Sequence, residues 1–197
     1  MRKLLLIVWL LIPVVAGAYH YGPGQERLEL DEAAALIDKA ETHAKAGEHA
    51  KAAEVYGEAL DLLPTRMVDK AQRLRLERAK AQMLSKQLPE ARGDLQTLLA
   101  DLAADEKTDP KLTDEVRSTL ANSQYYMTWL MRLEGRGRDE WEPEIEASRQ
   151  NYRLLAEKSN ESGDEKSVER HQKDLESAIR LARLDLKDLQ GLPLPSQ

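Results

Sequence analysis

Residue types that could carry chemistry are sparse in this chain. The four histidines, His20, His43, His49 and His171, are its only side chains that ordinarily titrate near neutrality. No two of them are spaced to share one turn of a helix around a metal, and no His-Glu-x-x-His run occurs. Cysteine is absent, which removes thiolate nucleophiles, thiolate ligands, disulfides and a lipid-modified N-terminal cysteine. No phosphate-cradling loop, nucleophile elbow or dinucleotide fingerprint is present. Carboxylates are plentiful, but they alternate with lysine and arginine at helical spacing, as solvated faces do. The sequence therefore predicts no catalytic residue, no cofactor and no metal site. His171 lies beside an apolar stripe and reads as a buried structural histidine.

One feature is uneven. Tyr125, Tyr126, Trp129, Trp141 and Tyr152 make up five of the nine aromatic residues. Two readings stand side by side. They form a core between long helices, where large rings fill gaps too wide for alanine. Alternatively some of them, Tyr125 first, face a binding groove, where tyrosine offers area at low entropic cost.

The elements that must position these groups are helical. Ala, Leu, Glu, Lys, Arg and Gln dominate, charged residues are 32%, aromatics 5%, and there is no phenylalanine. Such a composition suits thin helical layers and argues against a sheet core. The clearest stretch is Ala33–Pro64. Two helical runs meet at Ala46-Gly47-Glu48, where Gly47 can take the left-handed conformation that closes a helix. The second run carries Ala52, Val55, Tyr56, Ala59, Leu60 and Leu63 on one face, and Pro64 ends it. Ala40 and Ala52 are the expected points of close approach between the two helices.

These residues resemble a tetratricopeptide repeat (TPR). The family's small residue of the first helix falls on Ala40, its turn glycine on Gly47 and its second small residue on Ala52. Its aromatic falls on Tyr56, its next small residue on Ala59 and its closing proline on Pro64. The chain departs from the pattern at Leu36, Lys39 and His43, where the family prefers Trp, Leu and Tyr. Two degenerate units follow. In the second, Ala79 and Ala91 stand 39 residues after Ala40 and Ala52 (79 − 40 and 91 − 52), but the turn glycine and closing proline are missing. In the third, Ala121, Ser148 and Tyr152 take the small, small and aromatic roles, after an Asp109-Pro110 start and before a Gly135-Arg136-Gly137-Arg138 turn. Asp139 is the expected cap of the helix after that turn. A last helix, Asp164 to Gln190, follows a Ser159–Gly163 break and reads as a cap on the repeat stack.

The resemblance implies an all-α, TPR-like solenoid of about three helix pairs, six helices plus a C-terminal capping helix. It also implies a non-catalytic role in protein–protein interaction. Ligand-facing residues in the family come from the first helix of each pair. Those positions are Ile37, Glu41 and Ala44, then Arg73, Leu76, Lys80 and Met83, then Ser118, Asn122 and Tyr125. Ile37 and Glu41 stand where some members grip a partner's C-terminal carboxylate with Lys and Asn, so that mode is not implied here. The candidate partner-binding groove is Arg73, Leu76, Lys80, Met83, Asn122 and Tyr125, able to hold an extended or helical peptide.

The chain organises as residues 1–18, 19–30, 31–190 and 191–197. Arg2 and Lys3 precede the apolar run Leu4–Val15, and Ala16-Gly17-Ala18 follows. This reads as a secretory signal peptide or, if retained, as a membrane anchor flanked by Tyr19 and Tyr21. Residues 19–30 read as a linker through Gly22-Pro23-Gly24 into a helix capped by Asp31. Residues 31–190 are the repeat domain and 191–197 a tail. Both readings of the N-terminus export the domain, to the periplasm or outside the cell, with membrane contact through that segment alone. A net charge of −6 with no basic stripe argues against nucleic acid. The expected function is an envelope interaction scaffold whose partner is another protein or peptide. The alternative is an obligate structural subunit of a membrane-associated complex, and the third reading a helical ligand-binding protein or enzyme.

Overall fold

The computed structural model describes residues 9, 11–12, 23–105 and 107–191. The proposed signal or anchor (residues 1–18, except positions 9, 11 and 12), residues 19–22 of the proposed linker and tail residues 192–197 lie outside the described residues. From Pro23 onward the described residues form seven α-helices and a closing 3-10 helix, with no strand. Among them, no helix is long and apolar enough to cross a membrane. The chain divides into two compact units, Met1–Ala71 and Gln72–Gln197.

The first unit holds α1 (Pro23–Lys45) and α2 (His49–Leu62), packed on each other. α1 starts at Pro23, so most of the expected linker is helix. Residues Gln25–Leu30 contain no helix breaker, and a proline costs little in the first turn, where its missing N–H has no partner to lose. Ala33 and Ala40 of α1, and Ala52 and Ala59 of α2, are entirely removed from solvent. Gly47 has φ +77°. Its N–H donates to Ala44 O at 3.0 Å, and the Glu48 N–H to His43 O at 2.9 Å. These bonds satisfy carbonyls that the end of a helix otherwise leaves open.

The second unit holds α3 (Val68–Leu84, from Gln72 onward), α4 (Leu88–Ala104), α5 (Pro110–Leu133), α6 (Arg138–Ser162), α7 (Glu165–Arg183) and the 3-10 helix Leu186–Gly191. Arg75 near the start of α3 reaches Asp101 near the end of α4, and Gln82 near the end of α3 reaches Asp94, so the pair is antiparallel. Arg73 reaches Asp109 and Lys80 reaches Glu115, so α3 and α5 run side by side in one direction. Arg92 of α4 grips Glu144 of α6 with two bonds, at 2.9 and 2.5 Å.

Two apolar clusters fill this unit. Leu76 and Ala79 meet Leu95, Leu98 and Leu102 of α4 and Leu112, Val116 and Leu120 of α5. Farther along, Ala121 and Tyr125 of α5 meet Ile145, Tyr152 and Leu155 of α6, Ala178 and Leu181 of α7, and Leu189. The last helix is shorter than its sequence pattern suggests. α7 stops at Arg183, and Leu184-Asp185 turns the chain into the 3-10 helix that buries Leu189. Arg132 of α5 donates to Leu181 O and Leu184 O, carbonyls at that stop.

The turns carry a regularity that the sequence conceals. Lys86 has φ +65°, and the Gln87 N–H donates to Gln82 O at 3.1 Å, which is the Gly47 closure built without glycine. Gly135 repeats it at φ +73°, with Arg136 N–H on Met131 O at 2.9 Å. Asp139 does not cap α6. Gly137 is the cap residue, and its N–H is held by Glu140 Oε1 at 3.3 Å, three residues on.

Candidate functional site

The helices α3, α5 and α7, with the end of α6, line a cleft of about 630 Å3. Its walls carry many polar and charged side chains. Lys80, Glu115 and Asn122 come from α3 and α5, Ser159 and Lys158 from α6, and His171 from α7. The α6–α7 side of the cleft is built by a cap. Asp164 accepts from the Ser167 hydroxyl at 2.6 Å, and those bonds hold its carboxyl below the usual range.

The charges of the cleft are unevenly spent. Glu115 is bound by Lys80 at 2.7 Å, Asp114 by Lys158 at 2.7 Å, and Asp164 by Ser167. Burial works against the charge of Lys80, but Glu115 and Glu77 outweigh it and raise its pKa. Lys111 and Arg170, which also line the cleft, form no ion pair among the described residues. The carboxylates are engaged while two cations keep donors free, so the arrangement is chemically suited to an anion on an incoming chain.

Ser159 and His171 form a buried pair, with Oγ and Nδ1 2.9 Å apart. The serine proton has two acceptors within reach. The Ser159 hydroxyl also lies 2.8 Å from Leu155 O, and with its single proton on that carbonyl, Nδ1 is the donor to Oγ. A general base would have to accept that proton. Burial, and then Arg170, push the imidazole pKa down. Among the described residues no group of three acidic or histidine side chains could hold a metal ion.

The structure separates the six groove residues expected from the sequence. Lys80 and Asn122 line the polar cleft. Asn122 accepts the Tyr152 hydroxyl at 2.5 Å, which ties the cleft floor to the core. Met83 lies instead on a second, apolar groove of about 730 Å3. Arg73 lines neither and pairs with Asp109 at 2.8 Å. Leu76 and Tyr125 are inside the two apolar clusters, not on a groove. Tyr125 is fully buried edge-on to Tyr126 at 5.7 Å, and burial pushes its phenol up to about 12. The core reading of the aromatic residues therefore holds for Tyr125 and Tyr152. The physical reason is the side of α5 on which Tyr125 lies: Asn122 and Tyr125, three residues apart, share one face, and the bond from Tyr152 of α6 to Asn122 shows that face turned toward α6.

Of the residues marking the first repeat and its close approach, Ala40, Ala52 and Ala59 are fully buried, Tyr56 is buried and Pro64 half-buried. The third unit makes its close approach with a polar contact, Ser148 Oγ donating to Ala121 O at 2.9 Å. Sequence reasoning missed the α6–α7 side of the cleft. The serines Ser159, Ser162 and Ser167, with Asp164 able to cap a helix between them, were the available signal.

The chain matches no known family model, and no curated protein aligns with it significantly.

Proposed function

We propose that the chain is a non-catalytic, TPR-like interaction scaffold of the cell envelope. Its polar cleft would dock a carboxylate-bearing segment of another protein. The observation that carries this reading is the cleft along α3, α5 and α7, whose carboxylates are engaged while Lys111 and Arg170 form no ion pair among the described residues. The repeat reading draws support from α3 running beside α5, from the Arg92–Glu144 clamp between α4 and α6, and from left-handed turns at Gly47, Lys86 and Gly135. An extended segment suits this cleft because hydroxyls and amides on its walls can meet a partner's backbone groups.

The test is cross-linking of the full-length protein in intact cells, alongside a Lys111→Glu, Arg170→Glu double variant. Both positions line the cleft without an ion pair, and Arg170 gives up only one long bond, 3.4 Å, to the His171 ring, so the fold should survive. The expected result is loss of proteins that the unaltered chain captures. An unchanged set of captured proteins would rule the cleft out. Export is tested by the N-terminal residue of the mature protein: Tyr19 marks cleavage, an initiating end marks an anchor, and a cytoplasmic chain refutes both.

A second reading, an obligate structural subunit, is favoured by Leu84, Leu130 and Leu133, which are 54%, 40% and 44% exposed. It predicts that the lone chain self-associates or aggregates in dilute solution, where a scaffold sediments as a monomer.

A further inference from the structure

The second groove differs from the polar cleft in chemistry and lies at the other end of α5. Met83 and Leu84 end α3, Leu88 and Pro89 begin α4, and Met127 and Leu130 lie on the last turns of α5. Three of the chain's five methionines, Met83, Met127 and Met131, line it. Leu84 and Leu130 stand open to solvent there. Exposed large apolar side chains gathered on one concave surface mark a contact site, and methionine lets such a surface adapt to its occupant.

We propose that this groove docks an amphipathic helix of a partner protein, basic at one end and acidic at the other. Two observations choose this occupant. The walls are apolar, and the charged groups, Lys86, Glu134, Arg136 and Glu140, come from the turns that close the hairpins and the first turn of α6. An extended segment would leave its backbone N–H and C=O groups unmatched against such walls, whereas a helix satisfies them internally. The charges also differ between the two turns. Arg136 binds both Glu134 and Glu140, at 3.4 and 3.3 Å, so that cluster keeps one net negative charge. Lys86, from the α3–α4 turn, forms no ion pair among the described residues. A helix carrying a basic end for Glu134 and Glu140 and an acidic end for Lys86 matches both signs. The proposal does not depend on the polar cleft, and with it the chain would hold two partner segments at once.

The probe is a designed helix of about 18 residues with a leucine and methionine face. One version has a basic and an acidic end, and a second is basic at both ends. Binding to the full-length chain is read from carbon-13 methionine methyl signals. The first peptide is expected to shift Met83, Met127 and Met131 but not Met67, and to bind about tenfold tighter than the second. In Lys86→Glu the preference should reverse, an outcome that misfolding cannot imitate. Leu130→Glu, at an exposed position, should abolish the shifts without changing helix content.

Absence of shifts, equal shifts at Met67, or equal affinity for the two peptides would overturn the proposal. So would methyl signals that move when Leu192–Gln197 is deleted, because the chain's own tail would then be the occupant. A concentration-dependent doubling of mass with the same methyl shifts would assign the groove to a second copy, which also overturns it.

Discussion

The α1–α2 hairpin and the α3–α4 hairpin are built to one plan from different residues. Each position of the second follows its counterpart by 39 residues: Ala40 and Ala79, Gly47 and Lys86, Ala52 and Ala91, Tyr56 and Leu95. Both alanine pairs are buried, and both turns adopt a left-handed residue at the same step. The difference is at the turn. Glycine enters that conformation without strain, whereas lysine meets a steric cost of about 1–2 kcal/mol. Turn geometry therefore persists where its signature residue is gone, because packing on both sides of the turn holds it in place. The α3–α4 hairpin shares its leucines with α5, and that apolar contact can offset the strain.

Four measurements can break or sharpen this parallel. The largest effect belongs to the matched second-helix positions. Tyr56→Ala and Leu95→Ala should each destabilise by about 2–5 kcal/mol, read by urea unfolding followed by circular dichroism. If Tyr56 can be truncated at no cost, the two hairpins are not equivalent. Next come the close-approach alanines. Ala52→Leu and Ala91→Leu should each cost about 1–3 kcal/mol by forcing the helix axes apart, and tolerance at only one site would show that only one hairpin is tight.

The turns should respond with opposite signs. Lys86→Gly should stabilise and Gly47→Ala destabilise, each by about 1 kcal/mol in thermal unfolding. Space does not decide the matter at Gly47, since an added Cβ there would meet nothing within 4 Å; the backbone conformation does. The smallest effect is in acid. Glu48 binds Lys51 and the His43 ring, and these bonds hold its pKa below the usual value of 4.5. Its folded pKa is depressed, so its contribution is present above pH 4.5 and lost as pH falls through the folded value. The matched residue is Gln87, which does not titrate. Hydrogen exchange below pH 4.5 should therefore loosen the α1–α2 turn more than the α3–α4 turn, and Glu48→Gln should remove the difference.

A separate pH window belongs to the cleft wall. Burial depresses the His171 pKa, so the folded state favours the neutral ring. Stability is full above the ordinary value of 6.5 and falls as pH drops through the depressed one. His171→Gln should flatten the unfolding profile just below pH 6.5, before the depressed carboxylates, Glu48, Asp164 and Glu169, take up protons.

Much of the framework was legible in the chain. Helical class, the buried alanines, the left-handed Gly47 and the Asp109-Pro110 start follow from spacing and local backbone chemistry, which act over three or four residues. Asp109 accepts the Lys111 N–H as a cap should. The candidate groove was legible only in part. Lys80 and Asn122 reached the cleft, but Leu76 and Tyr125 went to the core, because which side of a long helix meets water depends on neighbours distant in sequence. Tyr152 meets Asn122 across 30 residues and Arg92 meets Glu144 across 52.

By itself the sequence determined that the chain is helical, where most helices stop, and which small residues let them touch. Tertiary structure alone decided that Lys86 would take a glycine's place in a left-handed turn, that Tyr125 and Tyr152 would fill the interior, and that two grooves of different lining would open along α5. Those outcomes depend on packing between segments far apart in the chain, whose energies no local window of residues contains.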